Sequence, residues 1–226
     1  MVKTRENSMP SEVVAGVAPE MVPVGPGPRA VKTAARREAI LAAALDEFSA
    51  RGFEAARIDD VARRAGVGKG TIYLHFRDKE ALFQDLVRTM LVPLVAGLEA
   101  AKPGDQPVRK LIESFVELFV REVYNTRRRN VVRLILTEGQ RFPSLAEFYY
   151  HEVVERAMAA MRALLERAVA RGELKDDTLV KFPQLIIAPG IVAIIWSGLF
   201  DRLRPIDVGA LMHAHLDLLF GKERAS

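Results

Sequence analysis

The segment from residue 58 to residue 76 constrains the fold most, because it holds two very short helical patterns on either side of a glycine. In the first pattern, apolar residues recur at spacings of three and four, which predicts a helix of about two turns with one apolar face. These residues are Ile58, Val61, Ala62 and Ala65. Gly66 follows at once, and glycine adopts the left-handed backbone that ends a helix abruptly without a steric penalty. The sequence therefore predicts a helix, a tight turn and a second helix.

The second short helix is predicted from Lys69 to His75, with Ile72 and Phe76 facing inward and a small, polar, basic outer face. In a helix-turn-helix, the second helix enters the major groove and its N-terminal residues contact base edges and phosphates. The candidate DNA-contacting residues are Arg57, Gly68, Lys69, Gly70, Thr71, Tyr73, His75 and Lys79.

These candidates differ in the contacts that they offer. Lys69 and Lys79 are predicted to bind phosphates, and Gly70 allows the backbone to approach the duplex closely. The hydroxyl of Thr71 suits either a base or the backbone, while Tyr73 and His75 offer donors to phosphate oxygens.

Two longer helical patterns flank this unit. Upstream, an apolar stripe through Leu41 and Phe48 ends at Gly52, and Phe53 is placed to pack back over the last turn. Downstream, Asp78 is a good N-cap for a long amphipathic helix that leaves the unit. Three helices are therefore expected to bury one small core, and the long helix is expected to link this DNA-binding head to the rest of the chain.

Several elements at fixed offsets match one known family. They are Gly52-Phe53, Val61-Ala62, Ala65-Gly66-Val67, Gly70-Thr71-Ile72-Tyr73, His75-Phe76 and Lys79-Glu80. With them, the stretch from Phe48 to Phe83 resembles the DNA-binding domain of the TetR/AcrR family of one-component transcriptional regulators. Residues 134–148 also resemble, more loosely, the ligand-binding domains of one branch of that family.

Two positions depart from the family pattern. Gly68 stands where the family usually has serine or threonine, which keeps a tolerable N-cap but removes a hydroxyl contact to phosphate. Ala56 and Arg57 stand just before the first short helix, where the family tends to have a hydroxyl residue. Arg57 is predicted to bind phosphate instead, although it caps a helix poorly.

Composition and charge limit the other possibilities. The chain has 226 residues, no cysteine and a net charge of +4, and residues 29–80 contribute +3 of that charge. The absence of cysteine excludes disulfides and thiolate sites and suits a reducing cytoplasm. Four cations, Arg29, Lys32, Arg36 and Arg37, lie at the start of the first helix, either as a solvated helix entry or as a basic arm on DNA. No signal peptide is visible, because residues 1–30 hold five prolines and no sustained apolar run.

The remainder of the chain is predicted to be helical throughout. We expect a disordered tail at residues 1–32, the head at residues 33–93 and an all-α body at residues 94–226. Arg127-Arg128-Arg129 is interpreted as a solvated turn between helices, with nucleic-acid binding as the alternative. Pro143 is predicted to begin a long helix that ends at Gly172. The uncharged stretch from Phe182 to Phe200 is expected to pack between its own core and a partner subunit in a four-helix seam with the final helix, although its length also fits a membrane span.

No catalytic constellation or metal-ligand set is evident, so the chain is predicted to be neither an enzyme nor a metalloprotein, and no cofactor is expected. The family resemblance implies a ligand cavity in the body, for which the candidate polar anchors are Glu138, Tyr149, Tyr150, His151 and Trp196. Ordinary core or surface packing is the alternative for each of them.

The sequence thus predicts an all-α, cytoplasmic, homodimeric repressor that binds a near-palindromic operator in double-stranded DNA. A small apolar or amphipathic effector is expected to release it by favouring a different separation of the two heads. Two alternatives stay open, namely a DNA-binding regulator that acts through a protein partner without an effector, and a membrane-tethered regulator.

Overall fold

The computed structural model describes residues 28–100 and 104–221, and the helices account for most of these residues, without a strand among them. The α-helices are α1 (Pro28–Ala55), α2 (Ile58–Ala65), α3 (Lys69–His75), α4 (Lys79–Met90), α5 (Val92–Ala100), α6 (Val108–Phe119), α7 (Arg128–Glu138), α8 (Pro143–Tyr149), α9 (Arg156–Ala170), α10 (Thr178–Lys181), α11 (Gln184–Phe200) and α12 (Val208–Phe220). Two π-helical segments, Val120–Tyr124 and Tyr150–Glu155, extend α6 and join α8 to α9. The predicted all-α fold is confirmed.

Most of the predicted tail, residues 1–27, lies outside the described residues. Helix α1 begins at Pro28, so residues 28–32, which the sequence assigned to the tail, are helical. Proline suits the first turn of a helix, since its fixed φ fits and its missing N–H would have no partner there.

An aromatic cluster closes the core of the head at the end of α1. Gly52 has φ 77° and ψ 168°, so the helical path breaks there, as the sequence predicts. The break directs Phe53 back onto the core, where its ring centroid lies 5.4 Å from that of Phe48 and 5.8 Å from that of Phe83. All three rings are nearly completely buried.

The head continues into the body through packed side chains. Helix α1 packs against α7, and α4 packs against α8. The ring of Phe53 lies 4.8 Å from that of Phe142, which precedes α8. Arg141 forms an ion pair with Glu54 across the same junction. A movement of α7 or α8 would therefore act directly on the last turns of α1.

The triple arginine is not simply a solvated turn. Arg127 donates to the carboxylate of Asp46 and to the carbonyl of Ala42 on α1. Arg128 donates to the Met90 carbonyl at 2.8 Å and to the Glu122 carboxylate at 3.0 Å. These partners are distant in sequence, so the spacing of the arginines could not indicate them.

The body encloses one face of α11. Its buried residues Ile186, Gly190, Ala193 and Ile194 lie on the side that packs against the other helices. A Cβ at Gly190 would lie 2.7 Å from the ring of Phe119, so only glycine allows α11 to approach α6 this closely. The predicted uncharged helix is confirmed, with its start at Gln184 rather than at Phe182.

One helical run within the described parts of the chain is long and apolar enough to cross a membrane, as judged by length and composition alone. It is Lys79–Ala100, which joins α4 and α5. Helix α11 has 17 residues and is shorter than the 18 residues that a candidate span needs. Core helices of soluble proteins often meet the same criteria, and α4 itself packs against α1, α7 and α8. Length and composition therefore do not identify a span here.

Candidate nucleic-acid interface

The turn between α2 and α3 has the predicted geometry. Gly66 has φ 67° and ψ 31°, in the left-handed region. Its N–H donates to the Arg63 carbonyl, and the N–H of Val67 donates to the Ala62 carbonyl at 3.0 Å. These bonds satisfy carbonyls that the end of α2 leaves without helical partners. Only three residues, 66–68, therefore separate α2 from α3.

Helix α3 presents one side to the core and the other to solvent. Ile72 and Phe76 are buried, as predicted. Lys69 and Gly70 are exposed at the start of the helix, and half of Tyr73 is exposed one turn later. A Cβ at Gly70 would meet no atom within 4 Å, so the backbone there is open to a ligand. The N-terminal half of α3 is thus accessible.

The remaining candidates on α3 are less accessible or lack a side chain. Thr71 and His75 are partly buried. Gly68 precedes α3 in an extended conformation and supplies no side-chain cap. Arg57 likewise precedes α2 without forming a side-chain cap, which agrees with its expected weakness in that role.

Four of the predicted residues line one open groove. Arg57, Lys69, Tyr73 and Lys79 surround a depression of about 520 Å³ between the start of α2, α3 and the start of α4. Arg77, which the sequence analysis did not select, lies on the same rim and is largely exposed. The fold therefore gathers cations from three elements at one surface, the arrangement that binding to a phosphate backbone needs.

Lys69 remains available at this surface although it has an acidic neighbour. Its Nζ lies 2.9 Å from Asp59 of α2, and both side chains are more than half exposed. The hydrogen bond and charge of Asp59 raise the pKa of Lys69, so the ammonium keeps its proton. An exposed pair of this kind is weak, and a DNA phosphate can replace the carboxylate.

Lys79 takes a different position from the one expected. Its Nζ donates to the carbonyls of Glu54 at 2.8 Å and Ala56 at 3.1 Å, and it lies 4.7 Å from the ring centroid of Phe53. Burial lowers the pKa of Lys79. The side chain thus fixes α4 to the end of α1, and its contact with phosphate stays a prediction.

Asp78 positions the start of α4. Its carboxylate accepts from the Ala81 N–H at 2.7 Å, and Arg77 donates to the same carboxylate at 2.8 Å. These hydrogen bonds, that from Ala81 first, lower the pKa of Asp78, so the cap is charged at neutral pH. The predicted N-cap is confirmed.

Besides Arg77, two further residues of the head were not predicted from the sequence. Leu74 is 85% exposed on the outer side of α3, two positions from buried Ile72, and that spacing on a helix could have indicated it. Glu47 is buried in α1, where its carboxylate lies 2.9 Å from Arg51 and 3.2 Å from Arg64. No local pattern distinguishes Glu47 from an exposed glutamate, because Arg64 comes from α2.

The cations at the start of α1 differ in their contacts. Arg37 forms an ion pair with Asp85 of α4 at 2.5 Å. Lys32 and Arg36 are exposed, and the side chain of Arg29 lies outside the described part. Arg37 thus supports the packing of α1 on α4, whereas Lys32 and Arg36 remain available as a basic arm.

The structure does not bring the five predicted pocket residues together around one recess. Tyr150 and His151 lie at an exposed surface, where His151 pairs with Glu155 at 3.0 Å. The indole of Trp196 donates to the Arg204 carbonyl at 2.7 Å, at the far end of α11. Glu138 lies at the head junction, with its Oε2 buried and without a hydrogen-bond partner in the described structure.

Tyr149, another predicted pocket residue, is partly buried against the core. Burial raises its pKa to about 12, so the hydroxyl stays neutral. A neutral phenol in an apolar setting retains its O–H donor, which suits a polar anchor in a largely apolar site.

A second surface of interest is the outer side of α11 and α12. Large apolar side chains are exposed there and in the adjoining segments, namely Phe182, Leu185, Val192, Ile195, Leu199, Phe200, Leu203 and Leu218. We call this the α11–α12 face. Leu185, Val192 and Leu199 recur at spacings of seven residues and so lie on one side of α11. An exposed apolar helix face of this kind is typical of interaction sites.

Metal binding finds no support in the side chains that the structure describes. No group of three histidine, aspartate or glutamate residues lies close enough to hold an ion. The Nε2 of His215 lies 2.6 Å from the Leu185 carbonyl and thus joins α12 to α11.

Two family models match the chain over most of its described length. Residues 40–86 match bacterial regulatory proteins of the tetR family, and residues 103–214 match the tetracyclin repressor-like C-terminal domain.

Individual proteins agree with these matches. The regulator SrpR of Pseudomonas putida is 28% identical over 175 residues, 76% of this chain and 80% of SrpR. The repressor KstR2 of Mycolicibacterium smegmatis is 29% identical over 146 residues, 64% of this chain and 70% of KstR2. SmeT, the repressor of a Stenotrophomonas maltophilia efflux pump, has the same fold in its triclosan complex, with a TM-score of 0.69 at 23% identity over 82% of this chain and 90% of SmeT.

The relatives are transcriptional regulators rather than enzymes. The family therefore agrees with the helix-turn-helix that the sequence predicts, including the glycine turn and the exposed face of α3. This chain belongs to the TetR family of DNA-binding transcriptional regulators.

Proposed function

We propose that this protein is a homodimeric, cytoplasmic repressor that a small apolar or amphipathic effector releases from a near-palindromic operator. The observation that carries the proposal is the accessible N-terminal half of α3, where Lys69, Gly70 and Tyr73 face solvent beside a groove lined by cations. In a helix-turn-helix this is the part that contacts base edges.

The α11–α12 face supports the homodimer. Helices α11 and α12 pack against each other within one chain and expose apolar side chains on their outer side. A second copy packed on this face would form a four-helix seam and bury that surface. Two heads related by a two-fold axis reach successive major grooves about 34 to 36 Å apart, so the operator is expected to be near-palindromic.

The junction between head and body supports control by an effector. Phe142 contacts Phe53, and Arg127 contacts Asp46, so α7 and α8 of the body hold α1 of the head. An effector that favours a different arrangement of these helices changes the separation of the heads and lowers the affinity for DNA. The triclosan complex of SmeT supports an apolar effector, and Tyr149 is the proposed polar anchor.

Selection of binding sites from random duplex DNA, followed by a salt titration on the selected site, tests the DNA-binding part. We expect a near-palindromic site and a steep fall in affinity with salt. Lys69→Ala should weaken binding to all sequences and flatten the salt slope by up to about one unit.

Lys181→Ala is the matched control, because Lys181 also forms an exposed ion pair, at 2.8 Å with Asp177, but lies on the body. It should leave affinity and slope unchanged. Lys79→Ala should also flatten the slope by up to about one unit if its ammonium moves from the α1 carbonyls to a phosphate. The absence of any selected sequence, or equal slopes for Lys69→Ala and the control, would contradict the proposal.

Crystal structures of the dimer with and without an effector test the release mechanism. An increase or decrease in the separation of the two α3 helices is expected on binding, and an unchanged separation would count against it.

A further inference from the structure

We propose that the recess between α7 and α11 is a binding site for a small oxyanion, the carboxylate or phosphate group of a ligand, held by Arg129 and Arg133. We call it the Arg129–Arg133 recess. Its other lining residues are Asn130, Ile194 and Ser197. It differs from the apolar effector site proposed above, and it does not depend on DNA binding.

The two arginines are arranged to share one ligand. They lie four residues apart on α7, so both side chains project from the same face of the helix. Both are partly buried against α11. Guanidinium groups present fixed forks of N–H donors that match the two oxygens of a carboxylate or of a phosphate.

Neither arginine has an acidic partner among residues 28–100 and 104–221, which the structure describes. Arg127 pairs with Asp46 and Arg128 with Glu122, but no carboxylate in the described chain forms an ion pair with Arg129 or Arg133. Arg129 instead lies 5.5 Å from the ring centroid of Tyr124. Two like charges four residues apart repel each other, and partial burial increases that cost. An anion between them would remove the repulsion and accept hydrogen bonds from both guanidinium groups.

The recess has the size of a small polar group. It encloses about 30 Å³, and a water molecule needs about 10 to 15 Å³ on the same measure, so about two oxygen atoms fit. Asn130 adds a neutral amide donor at the edge. The hydroxyl of Ser197 donates to the Ile194 carbonyl at 3.0 Å, so it lines the recess without offering a free proton.

The backbone of α11 makes room for Arg133. A Cβ at Gly198 would lie 3.3 Å from Cδ of Arg133 and 3.8 Å from its Nη1. A Cβ at position 198 would therefore shift the Arg133 stem by a few tenths of an ångström and touch the guanidinium at ordinary van der Waals distance. The close approach of α11 explains how Arg133 stays partly buried at the recess instead of extending into solvent.

Titration of the full-length protein with inorganic phosphate and with acetate tests the proposal. The protein is first dialysed into a chloride buffer, and ionic strength is kept constant with sodium chloride. Binding is measured by calorimetry and by the rise in melting temperature, since a ligand that binds only the folded state stabilises it. We expect saturable binding of at least one of the two anions, and comparison of the two shows which group the recess prefers.

Arg129→Gln and Arg133→Gln should each weaken binding at least tenfold. The control is the double variant Arg162→Gln/Arg167→Gln, which removes two charges from exposed positions of α9 and should bind as the wild type does. Arg133→Lys keeps the charge but loses the fork, so it should bind several-fold more weakly, and it serves as the test if the glutamine variants do not fold.

The proposal would be overturned if Arg133→Gln and the control variant bound each anion as strongly as the wild type does. It would also be overturned if neither anion bound the wild type. In that case, sedimentation equilibrium could show instead that Arg133→Gln weakens the dimer. That result would assign the arginines to a carboxylate of the partner subunit.

Discussion

The head and the body differ in how completely a single chain covers their apolar residues. In the head, Phe48, Phe53 and Phe83 pack against one another and are almost entirely buried. In the body, Val192 and Leu199 of α11 are 53% and 67% exposed. The head is therefore a closed core whose outer surface at α3 is polar and basic apart from the exposed Leu74 and Tyr73. The body instead presents an apolar surface that a second chain can cover.

The largest expected effect lies on the body side of this comparison. Leu199→Glu places a charge at two symmetry-related positions of the proposed seam, which should convert the dimer into a monomer at micromolar concentration. Affinity for a palindromic operator should then fall at least a hundredfold, because the two heads no longer bind as one unit. Sedimentation equilibrium and a DNA titration measure the two results.

Leu136→Glu is the control for that variant. Leu136 is 42% exposed on α7, outside the α11–α12 face, and the substitution should leave the dimer intact. If Leu199→Glu remained a dimer, the α11–α12 face would not be the surface that a second chain covers.

The next effect tests the closed core of the head. Glu47→Ala leaves Arg64 and Arg51 without their shared carboxylate, and it should lower the free energy of unfolding by about 2 kcal/mol. This is less than for a fully buried pair, since both arginines are about half exposed.

Asp46→Ala is the matched control, because the neighbouring Asp46 is half exposed and pairs with Arg127. It should cost less than about 1 kcal/mol in urea unfolding of the whole chain. Equal losses for the two variants would show that burial does not set the value of the Glu47 contacts.

A third pair of substitutions separates the turn from the DNA-facing surface. Gly66→Ala should lower the free energy of unfolding by about 1 to 2 kcal/mol, because φ is +67° there. No atom lies near enough to clash, so the backbone strain is the whole cost. Gly70→Ala should stabilise the protein by up to about 1 kcal/mol, since alanine is the better helix former and the space is open.

For Gly70→Ala, the change in DNA affinity should be opposite in sign to the change in stability. The methyl group of Gly70→Ala stands on the proposed DNA-facing side, so this variant should bind the operator more weakly although it unfolds less readily. If Gly70→Ala bound as tightly as the wild type, the backbone at position 70 would not approach the duplex.

The smallest effect concerns the start of α4, the helix that leaves the head. Asp78→Ala should cost about 1 kcal/mol at pH 7 through the loss of the cap. The pKa of Asp78 is lowered in the folded protein, so its contribution is present above the unfolded pKa near 4 and declines as pH falls through the folded pKa.

The difference between the wild type and Asp78→Ala should therefore shrink between pH 5 and pH 3. Asp78→Asn keeps a capping side chain without the charge, and its stability relative to alanine should change less over this range. Urea unfolding at each pH measures both differences, and a difference that grows on acidification would contradict the assignment.

The helix-turn-helix could be predicted closely because its signals are local. Gly66 directly follows the apolar stripe of α2, and Ile72 and Phe76 lie four residues apart, so neighbours along the chain set the turn and the orientation of α3. The structure has the same bounds for α3 that the pattern predicts, Lys69 to His75. The N-cap at Asp78 was predictable for the same reason.

Contacts between distant segments could not be read in this way. Lys79 lies beside the predicted interface in sequence, but two carbonyls at the end of α1 hold its ammonium. Arg127, Arg128 and Arg129 look alike in sequence, yet they meet a carboxylate of α1, a carboxylate after α6 and an aromatic ring. The candidate pocket residues were chosen by type alone, and packing placed Tyr150 and Trp196 on different parts of the body.

The sequence by itself determined the helical periodicity, the position of the glycine turn and the polar outer face of α3, because each depends on residues within about one helical turn of one another. The tertiary structure decided which charged side chains bind a partner within the chain and which are open to a ligand. That choice depends on which distant carbonyl or carboxylate lies within hydrogen-bonding distance. It thus left Lys69 exposed, directed Lys79 inward and buried Glu47. It also left Arg129 and Arg133 without an acidic partner in the part of the chain that the structure describes.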